Sequence, residues 1–183
     1  MEDLIRQLLV HLGEDPSREG LQKTPARVAQ AYAFLTQGYA QDPQEIVGDA
    51  VFAEECNHMV IVRDIEFFSL CEHHMMPFFG RCHIGYIPNG KVFGVSKLAR
   101  LVDCFSRRLQ LQERLTQQIA RTIKDGVAAE GVGVIIEARH LCMMMRGVQK
   151  QNSRMVSSAM LGSFHSSSAT RNEFLQLVNH PVS

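Results

Sequence analysis

The turn that organises this chain reads Ser69-Leu70-Cys71-Glu72-His73-His74. Its C-x-x-H spacing lets one tight turn aim the Cys71 thiolate and the His74 imidazole at one point, and zinc prefers both ligand types. A structural zinc site takes four protein ligands, so the other cysteines must be searched for a partner. The best candidate is Cys142, which follows His140-Leu141 at the end of a second apolar run. Three protein ligands with one open position are typical of a catalytic zinc, so the pattern indicates a zinc hydrolase.

Other interpretations of these residues remain open. A single C-x-x-H spacing is a weak signal, because cysteines are often small, buried apolar residues. A cysteine and a histidine could also form a nucleophilic pair without a metal. The second histidine of the turn, His73, and the second Cys/His pair at H-x-C spacing favour a metal site over simple packing.

Composition restricts the class of protein. The chain has 183 residues, of which 45% are hydrophobic and 21% are charged, as is typical of a globular domain with its own core. Its formal net charge is zero, which argues against a general nucleic-acid binder, so an anionic substrate needs a local positive cluster. The sequence contains no recognisable targeting peptide and no apolar run of membrane-spanning length. Its five cysteines, an odd number, favour reduced thiols and hence a cytoplasmic setting. From the charge and the hydropathy we expect a protein that binds neither nucleic acid nor a membrane.

Helical periodicity dominates the first forty residues. Apolar residues at helical spacing predict a helix over 2–12. Thr24 and Pro25 predict the N-cap and first position of a second helix that ends at Gly38. We expect this pair to form an N-terminal helical region, residues 1–40, beside a catalytic domain of residues 41–183.

The pattern then changes to strands around a helical pair. Strands are predicted over 59–68, 78–87, 131–138 with a continuation through Arg146, and 155–164. The helices are predicted from Ser96, as N-cap, to Leu109, from Leu111 to Gly126, and from a capping box at Thr170 to Val178. Strand runs separated by a helical pair indicate an α+β fold with a mainly antiparallel sheet.

A second group of residues suits an anionic substrate. Residues 96–114 carry five positive and two negative side chains, a local excess of three positive charges in a neutral chain. The simplest interpretation is the solvated face of an amphipathic helix. Ser96 and Lys97, however, open a helix, where free N–H groups and the helix dipole attract phosphate. Arg146 could add a bidentate guanidinium, and Glu113 could accept hydrogen bonds from a guanine edge, although a helix cap is the commoner use of a polar pair such as Gln112-Glu113.

Four motifs in unbroken order resemble the GTP cyclohydrolase I family. They are Ser69-Leu70-Cys71-Glu72-His73-His74, Gly94-Val95-Ser96-Lys97-Leu98-Ala99-Arg100, Leu111-Gln112-Glu113-Arg114-Leu115-Thr116 and His140-Leu141-Cys142-Met143-Met144-Met145-Arg146-Gly147. The resemblance extends from about Leu21 to Val178. It implies the tunnelling fold, in which antiparallel sheets from several subunits form a barrel. It also implies a homodecamer of two stacked pentamers, with active sites between subunits.

The same resemblance implies a reaction and a set of roles. GTP and water would give formate and 7,8-dihydroneopterin triphosphate, the entry to folate and other pterins, with Zn²⁺ and without a redox cofactor. The implied zinc ligands are Cys71, His74 and Cys142, and the implied proton-transfer residues are His140 and His73. Guanine would be read by Gln112 and Glu113, whereas ribose and triphosphate would be held by Ser96, Lys97, Arg100 and Arg146, with Arg27 of Thr24-Pro25-Ala26-Arg27 as an addition. Ser96 and Lys97 would also assist the rearrangement of the ribose. In place of a more threonine-rich stretch, this chain has Met155-Val156-Ser157-Ser158, which we expect to change packing and not chemistry.

Two rival functions fit parts of the pattern. A related tunnelling-fold enzyme that acts on another purine or pterin, such as the nitrile reductase of queuosine synthesis, would use a cysteine nucleophile and NADPH without zinc, and the three-ligand set argues against it. A structural zinc module would need a fourth protein ligand and would leave Gln112, Glu113 and Lys97 without a purpose.

Overall fold

The chain folds into a five-stranded sheet with two long helices on one face. The computed structural model describes residues 1–48 and 50–180. Within these ranges the helices are α1 (Glu2–His11), α2 (Thr24–Leu35), α3 (Pro43–Gly48), α4 (Val95–Ser106), α5 (Gln112–Gly126), α6 (Leu141–Met144), α7 (Ser163–Ser166) and α8 (Ser168–Asn179), with a 3-10 helix at Gln37–Ala40. The strands are β1 (Val51–Ala53), β2 (Val60–Cys71), β3 (Pro77–Ile87), β4 (Lys91–Phe93), β5 (Leu109–Gln110), β6 (Gly131–His140) and β7 (Met155–Gly162).

The main sheet has the strand order β5-β2-β3-β6-β7. All its pairs are antiparallel except the short parallel pair of β2 with β5, and β1 and β4 form a separate antiparallel pair. Because β3 runs antiparallel to both of its neighbours, the end of β2, the start of β3 and the end of β6 lie at one edge of the sheet. The register sets Leu70 opposite Pro77 and Phe78 opposite His140 at that edge.

The core lies between the sheet and the pair α4 and α5. Its buried side chains come from the helices (Leu98, Leu101, Val102, Phe105, Leu115, Ile119, Ile123) and from the sheet (Phe67, Phe78, Cys82, Ile84, Tyr86, Val132, Val134, Ile136). Burying each large apolar side chain contributes roughly 1.5–3 kcal/mol to the free energy of unfolding. Successive side chains of a strand point to opposite faces of the sheet. Glu66, Phe68 and Arg81 lie on the face away from the helices and are exposed. The predicted α+β class, with a mainly antiparallel sheet and a helical pair on one face, is confirmed.

Predicted boundaries around the first helices are wrong by a few residues. Lys23 rather than Thr24 is the N-cap of α2, and that helix ends at Leu35, before Gly38. Gly38 lies in the 3-10 helix against α4, where a Cβ would come within 2.1 Å of Cys104 O, so only glycine permits this contact. The proposed division of the chain into residues 1–40 and 41–183 stays a prediction, and residues 181–183 of its second part lie outside the described ranges.

Boundaries around the second helical pair also differ. Gly94 rather than Ser96 is the N-cap of α4, because the Gly94 carbonyl already accepts a hydrogen bond from the Lys97 N–H at 2.9 Å. Leu109 belongs to β5, where it pairs with Leu70, and not to α4. The short elements α3 and β1 were not predicted, since neither has a run long enough to show a period.

The largest errors lie near the C-terminal strands. The predicted continuation of β6 through Arg146 is wrong, because the chain turns into α6 directly after His140. β7 ends at Gly162, whose φ of +58° takes the chain into α7 before Phe164. The N-cap of α8 is Ser167, whose Oγ accepts from the Thr170 N–H at 3.2 Å, three residues before the predicted start. None of the helices in the described ranges has the length and apolar character needed to cross a bilayer.

Candidate metal centre and active site

Three side chains that could hold a metal ion meet at the edge of the sheet where β2, β3 and β6 come together. Cys71 ends β2, His74 lies in the turn to β3, and Cys142 lies in α6. Their ligand atoms all lie within 4.8 Å of one another, and Cys71 Sγ is 3.8 Å from His74 Nδ1. In the part of the chain that the structure describes, the group has these three members. Two thiols and one imidazole at this spacing suit a borderline-soft divalent ion such as zinc.

Backbone hydrogen bonds hold the turn that carries Cys71 and His74. The Cys71 N–H donates to Met76 O at 2.9 Å, and the Met75 N–H donates to Cys71 O at 2.8 Å. Met75 has a φ of +53°, in the left-handed region that costs a non-glycine residue about 1–2 kcal/mol. The surrounding hydrogen bonds must offset this strain, which is common at functional sites.

An ion pair that the sequence did not predict joins α5 to the turn that carries Cys71 and His74, which we call the metal turn. Arg114 Nη1 lies 2.5 Å from Glu72 Oε2, and Arg114 Nη2 lies 3.2 Å from Glu72 Oε1, a bidentate arrangement. Hydrogen bonding to Arg114 lowers the pKa of Glu72. Because both side chains are partly exposed, the pair contributes little to stability. The ion pair instead affects geometry, because it holds the metal turn next to Arg114 and therefore close to the neighbouring residue Glu113.

His140 is held on two sides beside the metal centre. Its ring stacks on Phe78 with centroids 4.6 Å apart and an interplanar angle of 3°. Its Nε2 lies 2.8 Å from Gln112 Oε1. Burial lowers the pKa of His140, and the Glu113 carboxylate opposes that effect. For Cys142, burial and then the adjacent Cys71 raise the pKa of the thiol, and Arg146 acts in the opposite direction.

The side chain of Gln112, one of the two residues predicted to read guanine, is held by contacts within the chain. Its side chain is buried, at 1% exposure, and its amide is fully used within the chain. The Nε2 atom lies 3.0 Å from Ile136 O and 3.1 Å from both Met155 O and Ser157 Oγ, while Oε1 contacts His140. Ser157, expected to affect packing alone, therefore belongs to the hydrogen-bond network behind His140.

Most other predicted site residues near this edge are exposed. Glu113 is exposed in the first turn of α5, and Arg146 is exposed two residues after α6. His73 is exposed in the metal turn, with its ring centroid 6.2 Å from that of His74. These three side chains are thus open to a ligand beside the Cys71, His74 and Cys142 group.

The helix α4, which carries Ser96, Lys97 and Arg100, begins away from this edge. α4 begins beside Tyr86, whose Oη accepts from the Phe93 N–H at 3.1 Å. Tyr86 lies eight residues along β3 from Phe78, a separation of roughly 26 Å at the usual strand rise. Ser96 and Arg100 are exposed there, and Lys97 is 8% exposed. Arg27 is exposed on α2. The start of α4, with Ser96 and Lys97, therefore lies near the end of β3 that is away from the Cys71, His74 and Cys142 group.

Comparison with known proteins adds independent information. The model of the GTP cyclohydrolase I family matches residues 1–179 of this chain. The GTP cyclohydrolase 1 of Teredinibacter turnerae is 61% identical over 178 residues, which cover 97% of each chain. That of Leptospira biflexa is 57% identical over 178 residues, again 97% of each chain. Among solved structures, the apo form of the archaeosine synthase QueF-Like aligns with 57% of this chain and 93% of its own, at 19% identity and a TM-score of 0.48.

Proposed function

Because this chain belongs to the GTP cyclohydrolase I family, we propose that it binds one zinc ion and converts GTP and water to formate and 7,8-dihydroneopterin triphosphate. The observation that supports the proposal most strongly is the group Cys71, His74 and Cys142 with His140 held beside it. We further propose a cytoplasmic homodecamer of two stacked pentamers that feeds folate or other pterin synthesis.

The donor set of the group fits zinc. Thiol and imidazole donors select zinc over calcium or magnesium, which prefer oxygen ligands. Three protein ligands leave one coordination position for a water molecule, which a zinc ion would polarise and acidify. The cation would also stabilise the thiolate forms of Cys71 and Cys142, against the effect of burial on the thiol of Cys142.

His140 is the residue that we assign to proton transfer at the purine ring. It lies two residues before a proposed ligand, and Phe78 and Gln112 hold its ring at the metal centre. Attack of water at C8 puts negative charge on a ring nitrogen, and a proton donated by His140 neutralises it. His73, exposed in the same turn, is the second candidate for proton transfer.

The substrate contacts divide between two regions. We assign Glu113 to the N–H groups of the guanine edge and Arg146 to a phosphate or the ribose, because both side chains are exposed and carry the complementary charge or acceptor. We propose that Ser96, Lys97 and Arg100 of a neighbouring subunit complete the site, because α4 begins beside Tyr86, near the end of β3 that is away from the Cys71, His74 and Cys142 group. Arg27 is a further candidate for contact with the triphosphate.

Release of formate tests the proposed reaction. The zinc-loaded protein, incubated with GTP and without a nicotinamide, should release formate and yield a pterin that fluoresces after oxidation. Removal of the metal with a chelator should stop both signals, and restoration of zinc should recover them. Zinc-loaded, oligomeric protein that binds GTP and releases no formate would show a structural zinc module instead. Turnover of another purine or pterin that requires NADPH would favour the nitrile-reductase alternative.

A Glu113→Ala variant tests guanine recognition. We expect it to retain zinc and to lose GTP binding, because the substrate's N1 and N2 donors would be left unmatched at a cost of roughly 1–3 kcal/mol. Titration with GTP, together with turnover, measures the loss. Glu173→Ala, an exposed position on α8, is the control and should bind GTP normally. Normal turnover by Glu113→Ala would move the guanine-reading role to another residue.

Mixing two inactive variants tests the shared site. Cys142→Ser and Lys97→Ala should each be inactive alone. In mixed oligomers, about a quarter of the sites should combine an intact metal centre from one subunit with an intact α4 from its neighbour, so activity should return in part. The control pair, Cys142→Ser with Cys71→Ser, damages the same centre twice and should recover nothing. A fully active monomer of 20.6 kDa in light scattering, or no recovery in the first pair, would exclude the shared site.

A further inference from the structure

The orientation of the Gln112 amide is fixed by its surroundings. Its nitrogen faces Ile136 O, Met155 O and Ser157 Oγ at 3.0 to 3.1 Å. Backbone carbonyls only accept hydrogen bonds, so an amide oxygen in that position would face two further oxygens with no proton between them. The NH₂ group must therefore face the two carbonyls, and Oε1 must face His140.

The directions of the neighbouring hydrogen bonds agree with this orientation. Thr116 Oγ1 donates to Gln112 O at 2.7 Å, so the Ser157 hydroxyl, 2.7 Å away, donates to Thr116. Ser157 Oγ is then free to accept from Gln112 Nε2. Each donor in this buried network has an acceptor, and such a network resists rotation of the amide.

The Gln112 amide in turn fixes the tautomer of His140. Oε1 can only accept, and it lies 2.8 Å from His140 Nε2, so Nε2 carries a proton. In a neutral imidazole the other nitrogen, Nδ1, then has the lone pair. No hydrogen bond to Nδ1 occurs among the described residues, and the ring face against Phe78 is covered. The Nδ1 edge is thus left for a ligand.

We propose that Gln112 is a positioning residue that locks His140 in the Nε2–H tautomer, so that Nδ1 is the atom that exchanges a proton with the substrate. The inference rests on the proposed function and replaces guanine reading as the role of Gln112. When the ring is protonated, the Nδ1–H bond breaks, the proton passes to a ring nitrogen of the substrate and the electron pair stays on Nδ1. Nε2–H remains hydrogen-bonded to Gln112 throughout, and water returns the proton to Nδ1.

A Gln112→Met variant tests the role by kinetics. It keeps the length of the side chain and removes the acceptor for His140. We expect kcat to fall by about 10–100-fold, the loss typical of residues that orient a histidine at a metal centre, with zinc content and the KM for GTP within about twofold. The matched control is Gln110→Met, because Gln110 is also buried and its amide donates to Phe105 O at 3.0 Å, without contact to His140. An equal loss of kcat in the two variants at equal loss of Tm would show that Gln112 is only structural.

Solid-state nuclear magnetic resonance tests the tautomer without any turnover. The zinc-loaded protein is labelled with ¹⁵N-histidine, and subtraction of the His140→Asn spectrum isolates the signals of His140. In neutral His140 we expect a protonated Nε2 and an unprotonated Nδ1, and in Gln112→Met a mixture of both tautomers. A proton on Nδ1 of the neutral wild-type ring would overturn the inference. Because this readout needs no GTP, it stands or falls separately from the proposed reaction.

Discussion

The Cys142→Ser variant is expected to lose zinc and turnover together while it stays folded. Loss of one thiolate leaves Cys71 and His74, and two protein ligands do not hold zinc as three do. The fold should survive because Cys142 is only partly buried, in the four-residue helix α6 at the edge of the sheet. Metal content by mass spectrometry, formate release and circular dichroism measure the three properties.

A cysteine outside the proposed centre provides the control for this variant. Cys56 lies in the segment between β1 and β2, partly buried like Cys142. Cys56→Ser should keep both its zinc and its turnover. If Cys142→Ser instead retained about one zinc per chain, Cys142 would not be a ligand, and the assignment of the open coordination position would fail with it.

The His140→Ala variant is expected to keep its zinc and its affinity for GTP and to lose about 10²–10⁴-fold in turnover, the usual range for general acid catalysis. The loss corresponds to roughly 3–5 kcal/mol of transition-state stabilisation. Metal and ground-state binding should survive because His140 is outside the ligand group. Single-turnover rates of formate release, with GTP titration and metal analysis, separate these quantities.

Two further variants show whether the imidazole itself is required. His140→Asn keeps a polar side chain against Gln112 but cannot transfer a proton in the same way, so it should be nearly as slow as His140→Ala. His165→Ala removes an exposed histidine of α7 and should have normal turnover. A rate for His140→Ala within tenfold of the wild type would assign the proton transfer to another group, for which His73 is the next candidate.

The sequence was informative where the site depends on local spacing. The C-x-x-H and H-x-C pairs need only one turn each, and the β-branched, aromatic and apolar content of the strands was enough to predict the strands that carry them. The predicted end of β6 was wrong because the residues from Leu141 to Met145 form an apolar run. Short apolar runs are compatible with a strand as readily as with a helix. Ser96 was chosen as a cap because serine prefers that position, but Gly94 takes it.

Contacts between distant segments could not be predicted from such patterns. Gln112 meets Ile136 and Ser157, which are 24 and 45 residues further along the chain, and Glu72 meets Arg114 across 42 residues. Each contact depends on the register of the sheet and on where α5 begins. The same holds for Lys97, whose place at the far end of β3 follows from the packing of β4 against Tyr86. The chemistry of each residue was visible in the sequence, and its partner was not.

Two hydrogen bonds connect the outermost strand of the sheet to His140, the proposed proton donor. β7 is the last strand in the described sheet, so its outer backbone groups are available to a strand from another molecule. From Ser157 on β7, one hydrogen bond leads to the Gln112 amide and a second leads from that amide to His140. A neighbour that pairs along β7 and straightens or twists it would therefore move the acceptor of the imidazole. In a closed ring of subunits, assembly would therefore hold the Gln112 amide and His140 in position. A ring with weakened contacts along β7 would then have a lower turnover rate while it still bound its metal.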